Sequence, residues 1–187
     1  GSYNVRIRDA VNTTCTVILN PALSISQPAV LSATVSGTNG TCNGGSDGTI
    51  TISSPSGGYG TYGYSVDGGT TWQGSGNFGG LPPGFYNVQI RDAVNAGCVI
   101  TLNGSLRVTE PPTLSANVAS TNVSCNGTGD GTITISSPSG GYGTYQYSIN
   151  GGGSWQASGS FNSLAPATYN VQIRDAASTG CYLVLIN

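Results

Sequence analysis

The sequence contains no histidine, no lysine and no methionine, and only 6% of its 187 residues carry a charge. Its five basic residues are all arginines, and the formal net charge is −2. Without histidine or lysine, the chain has no imidazole to activate a nucleophile or bind a metal, and no amine to form a Schiff base. Five scattered arginines cannot follow a phosphate backbone. We therefore expect neither an enzyme nor a nucleic-acid-binding protein, with no cofactor and no bound metal.

Long apolar runs are also missing. The longest is YLVLI near the end of the chain, whereas a membrane-spanning helix needs about 20 apolar residues, so we expect a protein that is not embedded in a membrane. The chain is rich in glycine, serine, threonine and asparagine, and 37% of it is hydrophobic. That apolar fraction, with a low net charge, argues for a folded chain. A surface solvated by hydroxyls and amides rather than charges indicates an extracellular protein.

An internal repeat sets the architecture. The segment YNVRIRDAVN begins at Tyr3, YNVQIRDAVN begins at Tyr86 and YNVQIRDAAS begins at Tyr169, which are successive steps of 83 residues. GTITISSPSGGYGTY also occurs twice with the same step. A fixed step without insertions indicates tandem units of one supersecondary structure.

The repeat divides the chain into three parts. Residues 1–28 are predicted to be the last strands of a preceding repeat, residues 29–111 a complete repeat (repeat 1), and residues 112–187 a repeat without its last strand (repeat 2). Prolines mark the joints, at Pro28 and at the pair Pro111 and Pro112. Proline stiffens a linker and cannot donate to a β-ladder. The short joints predict that the repeats are arranged as a rod.

Apolar residues alternate with a period of two throughout repeat 1, and no segment shows a helical period. The predicted strands of repeat 1 are residues 31–38, 48–54, 61–67, 71–73, 86–91, 99–102 and 106–109. Short strands separated by turns rich in glycine and asparagine are typical of a β-sandwich. The sequence therefore predicts an all-β fold of tandem immunoglobulin-like β-sandwich repeats.

Five cysteines in an extracellular chain suggest disulfides, and two regular pairings are open. Cys42–Cys98 and Cys125–Cys181 would close each repeat and leave Cys15 alone, whereas Cys15–Cys42 and Cys98–Cys125 would link neighbours and leave Cys181 alone. If every connection reverses the chain, the two cysteines of one repeat lie at the same end of the sandwich, while the linking pairs must span a domain. We therefore predict the disulfides within repeats, with Cys15 unpaired because its partner would precede residue 1.

One motif resembles the Asp-box of sialidases and related propellers. It comprises Ser65, Asp67, Gly69, Thr71 and Trp72 in the spacing S-x-D-x-G-x-T-W. In those families the box is a structural hairpin away from the active site. We therefore expect a hairpin whose tryptophan packs onto the core.

Three further features admit a functional and a structural interpretation. The loops with Asp47 and Asp130 could be read as calcium sites, but calcium needs six to eight oxygens and each loop offers one aspartate, so we predict turns. Tyr59 and Tyr142, in Gly-Gly-Tyr-Gly loops, are candidate glycan contacts, although we favour rings that fold back over the sandwich edge. An Arg-Asp pair recurs at the end of each Tyr-Asn-Val strand, as Arg8-Asp9, Arg91-Asp92 and Arg174-Asp175. Neighbouring side chains of a strand point to opposite faces, so the two need not pair with each other, and a contact with the next repeat at the joint stays open.

Several segments together resemble the SprB-type repeats of giant gliding-motility adhesins from gliding Bacteroidetes. They are C-N-G-x-x-D-G-T-I-T-I, G-G-Y-G-T-Y-x-Y-S, the strand G-x-Y-N-V-x-I-R-D-A with its following cysteine, and the closing V-T-E-P. The resemblance implies display on the outer-membrane surface, export by the type IX secretion route and a part in gliding motility. Asn150 stands where repeat 1 has Asp67, which puts in doubt any role that needs a carboxylate there.

These observations predict a structural repeat segment of a secreted cell-surface adhesin filament that supports surface attachment. Its expected partners are the neighbouring repeats of the same chain. Two alternatives stay open: a module that binds surface polysaccharide, and a self-assembling fibre subunit that exchanges strands.

Overall fold

The structure is a computed structural model that describes residues 1–186. It confirms the all-β prediction, because this range contains fourteen strands and no helix. It follows that residues 1–186 offer no helix that could span a lipid bilayer. The strands form five small antiparallel sheets.

The first sheet is a hairpin of β1 (Ser2–Arg8) and β2 (Thr16–Ser24). Almost all of its residues are exposed, including apolar ones such as Ile7, Val17 and Leu23. In sequence it corresponds to the last two strands of repeat 1. It will be called the N-terminal hairpin.

Repeat 1 consists of two three-stranded sheets. Its strands are β3 (Ser32–Thr38), β4 (Gly48–Ser56), β5 (Tyr62–Ser65), β6 (Asn77–Leu81), β7 (Gly84–Asp92) and β8 (Val99–Val108). One sheet has the order β3-β4-β6 and the other β5-β7-β8. The core between them follows from the period-two pattern, because Ile50 and Ile52 of β4 and Val88 and Ile90 of β7 are all buried. Repeat 1 is therefore a small β-sandwich.

Repeat 2 has the same arrangement. Its strands are β9 (Ser115–Thr121), β10 (Gly131–Ser139), β11 (Tyr145–Ser148), β12 (Ser160–Leu164), β13 (Val171–Asp175) and β14 (Tyr182–Ile186). The sheet orders are β12-β10-β9 and β11-β13-β14. Its own core contains Ile133, Ile135, Val171 and Ile173. Each repeat thus has a separate hydrophobic core.

The strand predictions for repeat 1 need three corrections. Strand β6 was not predicted, because Asn77–Leu81 is rich in glycine and lacks strict alternation. The predicted strand at residues 71–73 is reduced to an isolated bridge between Gln73 and Tyr64. The two strands predicted at 99–102 and 106–109 form the single strand β8.

The predicted disulfides within repeats are wrong. Cys42 of repeat 1 is bonded to Cys181 of repeat 2, while Cys98 and Cys125 carry free, exposed thiols, as does Cys15. The unpredicted strand β6 explains the error, because it adds one reversal of the chain before β7. Cys98, which precedes β8, therefore lies at the opposite end of the sandwich from Cys42. A disulfide cannot span that length.

Candidate functional site

Three of the predicted site residues, Cys42, Tyr142 and Cys181, meet at the joint, the contact between the end of repeat 1 and the beginning of repeat 2. Repeat 1 contributes the loop of residues 39–47 between β3 and β4. The linker of residues 109–113 follows β8, and repeat 2 adds the loop of residues 140–142 and the turn of residues 176–181. The joint is arranged head to tail, because β8 ends beside the loop of residues 39–47: the Gly40 N–H donates to the Thr109 carbonyl at 2.8 Å.

A disulfide crosses the joint. Cys42, in the loop of residues 39–47, and Cys181, in the turn before β14, have Cα atoms 5.3 Å apart, within the usual range for a disulfide. The bond joins residues 139 positions apart in sequence. Cys181 is only 8% exposed. The two repeats are thus covalently connected at a second place besides the linker.

The loop of residues 39–47 also holds the linker by hydrogen bonds. The Asn43 amide donates through Nδ2 to the Pro111 carbonyl at 3.1 Å and accepts through Oδ1 from the Thr113 hydroxyl at 2.8 Å. The Gly44 N–H donates to the Glu110 carboxylate at 2.5 Å. Since proline offers no N–H, a carbonyl is the only backbone hydrogen-bonding group available at Pro111. Asn43 therefore fixes the direction in which the chain leaves repeat 1.

A buried aspartate orders the repeat 2 side of the joint. Asp175 is 0% exposed, and its Oδ1 accepts from the N–H groups of Ala177 at 2.7 Å and Ser178 at 3.2 Å. Its Oδ2 accepts from the Tyr142 N–H. The Tyr142 hydroxyl in turn donates across the joint to the Gly40 carbonyl at 3.1 Å. One carboxylate thus positions both the tyrosine that contacts repeat 1 and the turn that presents Cys181.

The glycine before Tyr142 is required by this arrangement. Gly141 has φ +57°, and a Cβ atom built on it would lie 2.2 Å from Oδ2 of Asp175. A larger residue would therefore displace the carboxylate as well as strain the backbone.

The candidate glycan contacts occupy equivalent places at the beginnings of the two repeats. Tyr142 contacts repeat 1 through its hydroxyl, as described above. In repeat 1 the Tyr59 N–H donates to Asp92 Oδ2 at 2.5 Å, and the tyrosine ring is 61% exposed. Binding of a sugar by either ring stays a prediction.

The loops of Asp47 and Asp130 could be read from the sequence as calcium sites. In each of them the carboxylate accepts hydrogen bonds from residues of the same loop. Asp47 accepts from the hydroxyl and the N–H of Thr41, and these bonds, first that of the hydroxyl, lower its pKa. Asp130 accepts from the Ser124 N–H and the Thr128 hydroxyl, both at 2.9 Å, and hydrogen bonds from Ser124 and then Thr128 lower its pKa to about 2. Within residues 1–186 no three metal-ligating side chains of cysteine, aspartate or glutamate form a group.

The Asp-box hairpin is held by its own polar groups. Asp67 accepts from the Thr71 hydroxyl at 2.6 Å, the Thr71 N–H at 2.9 Å and the Ser65 hydroxyl at 2.7 Å. These bonds, first that of the Thr71 hydroxyl, lower the pKa of Asp67 to about 2. In repeat 2 Asn150 replaces the aspartate, and its Nδ2 donates to Ser154 Oγ at 3.0 Å. The hairpin therefore persists without the carboxylate.

The tryptophan of this hairpin does not enter the core, contrary to our prediction. Trp72 lies under the Arg91 guanidinium, whose Cζ is 4.5 Å from the ring centroid, and Trp155 lies under Arg174 at 4.4 Å. Both arginines follow a buried isoleucine and so point to the outer face of the sheet. Sequence reasoning missed this cation–π pair, although the arginine and the tryptophan recur with the same 83-residue step.

The Asp67→Asn variant is expected to remove an acid-sensitive contribution from repeat 1. A carboxylate whose pKa is lowered by folding stabilises the folded state above its ordinary value of 3.8, and this contribution is lost as the pH falls through about 2. Because Asp67 is exposed, we expect a loss of roughly 1 kcal/mol in the free energy of unfolding at pH 6. At about pH 2 the variant and the original chain should converge.

Urea unfolding in a Trp155→Phe background, where Trp72 fluorescence reports on repeat 1 alone, measures this difference at both pH values. The reciprocal variant, Asn150→Asp, should introduce the same pH dependence in repeat 2. If the difference in the free energy of unfolding between Asp67→Asn and the original chain were the same at both pH values, the role assigned to the charge of Asp67 would be contradicted.

Sequence reasoning found all the cysteines of the joint but not its polar groups. Asn43 lies 68 and 70 positions from its partners, and Asp175 lies 33 positions from Tyr142, so no local spacing reveals these contacts. The recurrence of the Arg-Asp pair in all three copies of the Tyr-Asn-Val strand was the available signal.

Comparison with known proteins identifies the repeat. A family model described as the SprB repeat matches residues 33–71 and residues 117–154. No curated protein and no solved structure was found to match the chain. Each matched segment begins in the first strand of a sandwich and ends in the Asp-box hairpin. The chain therefore contains two segments, one in each β-sandwich, that match the SprB repeat.

Proposed function

We propose that this chain is a structural segment of a cell-surface adhesin, in which successive sandwiches separate an adhesive part from the cell. The disulfide across the joint is the observation that carries the proposal. A spacer must keep its units connected when the attached surface and the cell move apart. A covalent bond between units resists separation independently of the area that the units bury against each other.

The polar contacts of the joint support the same role. Asn43 fixes the linker, and Tyr142 donates to Gly40 across the joint. Together with the disulfide, these bonds restrict rotation about the linker. We therefore propose an extended, rod-like arrangement of immunoglobulin-like units. The SprB resemblance further suggests an outer-membrane location, export by the type IX route and a part in gliding motility.

Two alternatives receive less support. A polysaccharide-binding module would need its aromatic rings free, yet the hydroxyl of Tyr142 is engaged at the joint. Exchange of the N-terminal hairpin for β13 and β14 of another chain would remove the turn that carries Cys181, which is bonded to Cys42. The oxidised joint therefore opposes strand exchange.

Replacement of residues 29–187 in the parent protein by unrelated sandwich repeats of equal total length tests the proposal. If the segment is a spacer, cells carrying the replacement should attach to a surface as well as the original cells do, whereas deletion without replacement should reduce attachment. An antibody against residues 29–187 should label intact cells.

Loss of attachment in the replaced protein, despite normal surface labelling, would overturn the spacer proposal in favour of a binding module. In that case, binding of the purified chain to a polysaccharide array, and its loss in Tyr59→Ala, would identify the module's ligand. Absence of label on intact cells would overturn the surface location itself.

A further inference from the structure

The beginning of repeat 1 carries the same surface that repeat 2 uses in the joint. A cavity of about 340 Å³ lies there, lined by residues that include Pro28, Leu31, Gly58, Asp92 and Cys98. The residues 83 positions later line the joint cavity of about 180 Å³, which the loop of residues 39–47 closes from the other side. The beginning of repeat 1 is thus a joint surface without its opposite loop. It will be called the Cys98 face.

Some residues of the Cys98 face are more exposed to solvent than their counterparts in the joint, as expected of a surface that no loop covers. Cys98 is exposed with a free thiol, whereas its counterpart Cys181 is nearly buried and oxidised. Pro28 is exposed, whereas its counterpart Pro111 is buried and its carbonyl accepts from Asn43 in the joint. Asp92 nevertheless orders the face, because it accepts from the N–H groups of Tyr59 and Asn95. The face is therefore formed before any partner is bound.

The complementary loop is exposed at the other end of the molecule. Residues 122–130 of repeat 2 correspond to residues 39–47, and they present Cys125 with a free thiol. Asn126 corresponds to Asn43, the residue that holds the linker in the observed joint. Asp130 closes this loop through Ser124 and Thr128. The chain thus displays both halves of the joint, one at each end.

We propose that the Cys98 face is a docking site for another copy of this repeat. The docking segment is the loop that carries the first cysteine of the repeat (residues 39–47 in repeat 1), and that cysteine forms a disulfide with Cys98. Every joint between such repeats is then closed in the same way, from the first cysteine of one repeat to the second cysteine of the next. Because the two halves of the joint are different surfaces, the contact is heterologous and can continue indefinitely.

Formation of the bond removes two protons and two electrons from the two thiols. A low-molecular-weight disulfide can accept them by exchange, and it is thereby reduced to two thiols. Since the proposal concerns only the contact between repeats, it holds or fails separately from the adhesin function.

Insertion of an additional copy of residues 29–111 between Pro111 and Pro112 tests the proposal. Thr41→Ser and Ala96→Thr, the residues found at the equivalent positions of repeat 2, mark the inserted copy for mass spectrometry. After oxidation by oxidised glutathione and digestion without reductant, we expect Cys42 of the original repeat 1 to be bonded to Cys98 of the inserted copy. Cys42 of the inserted copy should be bonded to Cys181.

A disulfide that joins Cys42 and Cys98 within the inserted copy would overturn the proposal, and so would a free thiol at Cys98 of the inserted copy. A second measurement uses the original chain and does not depend on folding of the insertion. A peptide of residues 38–47, with Cys42 activated as a thiopyridyl disulfide, should modify Cys98 about tenfold faster than Cys15, because docking raises its local concentration. A scrambled peptide is the control, and equal rates at Cys98 and Cys15 would also overturn the proposal.

Discussion

Pulled from its two ends, the oxidised chain is expected to reach a contour length about 480 Å shorter than that of the reduced chain. The disulfide joins residues 139 positions apart, and an extended chain spans at most about 3.3–3.6 Å per residue. The segment between Cys42 and Cys181 therefore cannot extend until the bond is reduced. Single-molecule force spectroscopy with and without a reducing agent measures the difference directly.

The cysteine variants make this measurement specific. Cys42→Ser should give the long contour length under both conditions, whereas Cys15→Ser, at an exposed free thiol, should behave like the original chain. A disulfide between Cys42 and Cys98 would instead shorten the chain by about 200 Å. A single contour length, unaffected by reduction, would contradict the observed pairing.

Replacement of Asp175 by alanine is expected to lower the free energy of unfolding of repeat 2 by about 4 kcal/mol. The substitution removes a fully buried carboxylate and leaves its three part-buried N–H donors, those of Tyr142, Ala177 and Ser178, without their acceptor. Asp175→Asn keeps the shape and one strong acceptor oxygen, so we expect about half of that loss. Denaturant unfolding in a Trp72→Phe background measures it, since Trp155 then reports on repeat 2 alone.

The N-terminal hairpin supplies a matched control. Asp9 accepts from the N–H groups of Val11 and Asn12 at 2.7 and 2.8 Å, in the same local turn, but it is exposed. Asp9→Ala should therefore leave the unfolding of both repeats unchanged. A loss for Asp175→Ala as small as that for Asp9→Ala would show that burial of the carboxylate is not what matters.

The sequence was sufficient to predict the cores of the sandwiches. The alternation that places Ile50, Ile52, Val88 and Ile90 inside repeat 1 is visible in the sequence and is confirmed by their burial. The Asp-box hairpin, whose turn contains Gly68 and Gly69 with positive φ, also followed from the local sequence. Burial and local turn chemistry act over a few residues, which is why a single sequence reveals them.

The disulfide pairing could not be predicted, because it depends on the number of chain reversals between two distant cysteines. A single unpredicted strand, β6 (Asn77–Leu81), moved Cys98 to the other end of the sandwich. Its pairing with β4 is determined by a partner far along the chain, with Phe78 opposite Ile50. The hydrogen bond from Tyr142 to Gly40 in the joint likewise depends on how distant parts of the chain pack together.

The Cys42–Cys181 bond also changes what a protease can do to this protein. The bond closes a covalent ring that contains the linker and most of both repeats. Hydrolysis of any one peptide bond inside that ring opens it but leaves the two fragments tethered through sulfur. However many peptide bonds are cut inside the ring, the segments that carry Cys42 and Cys181 stay joined through sulfur, so the ends part only when cleavage is accompanied by a reductant. The chain thereby tolerates proteolysis inside the ring without losing the connection between its ends.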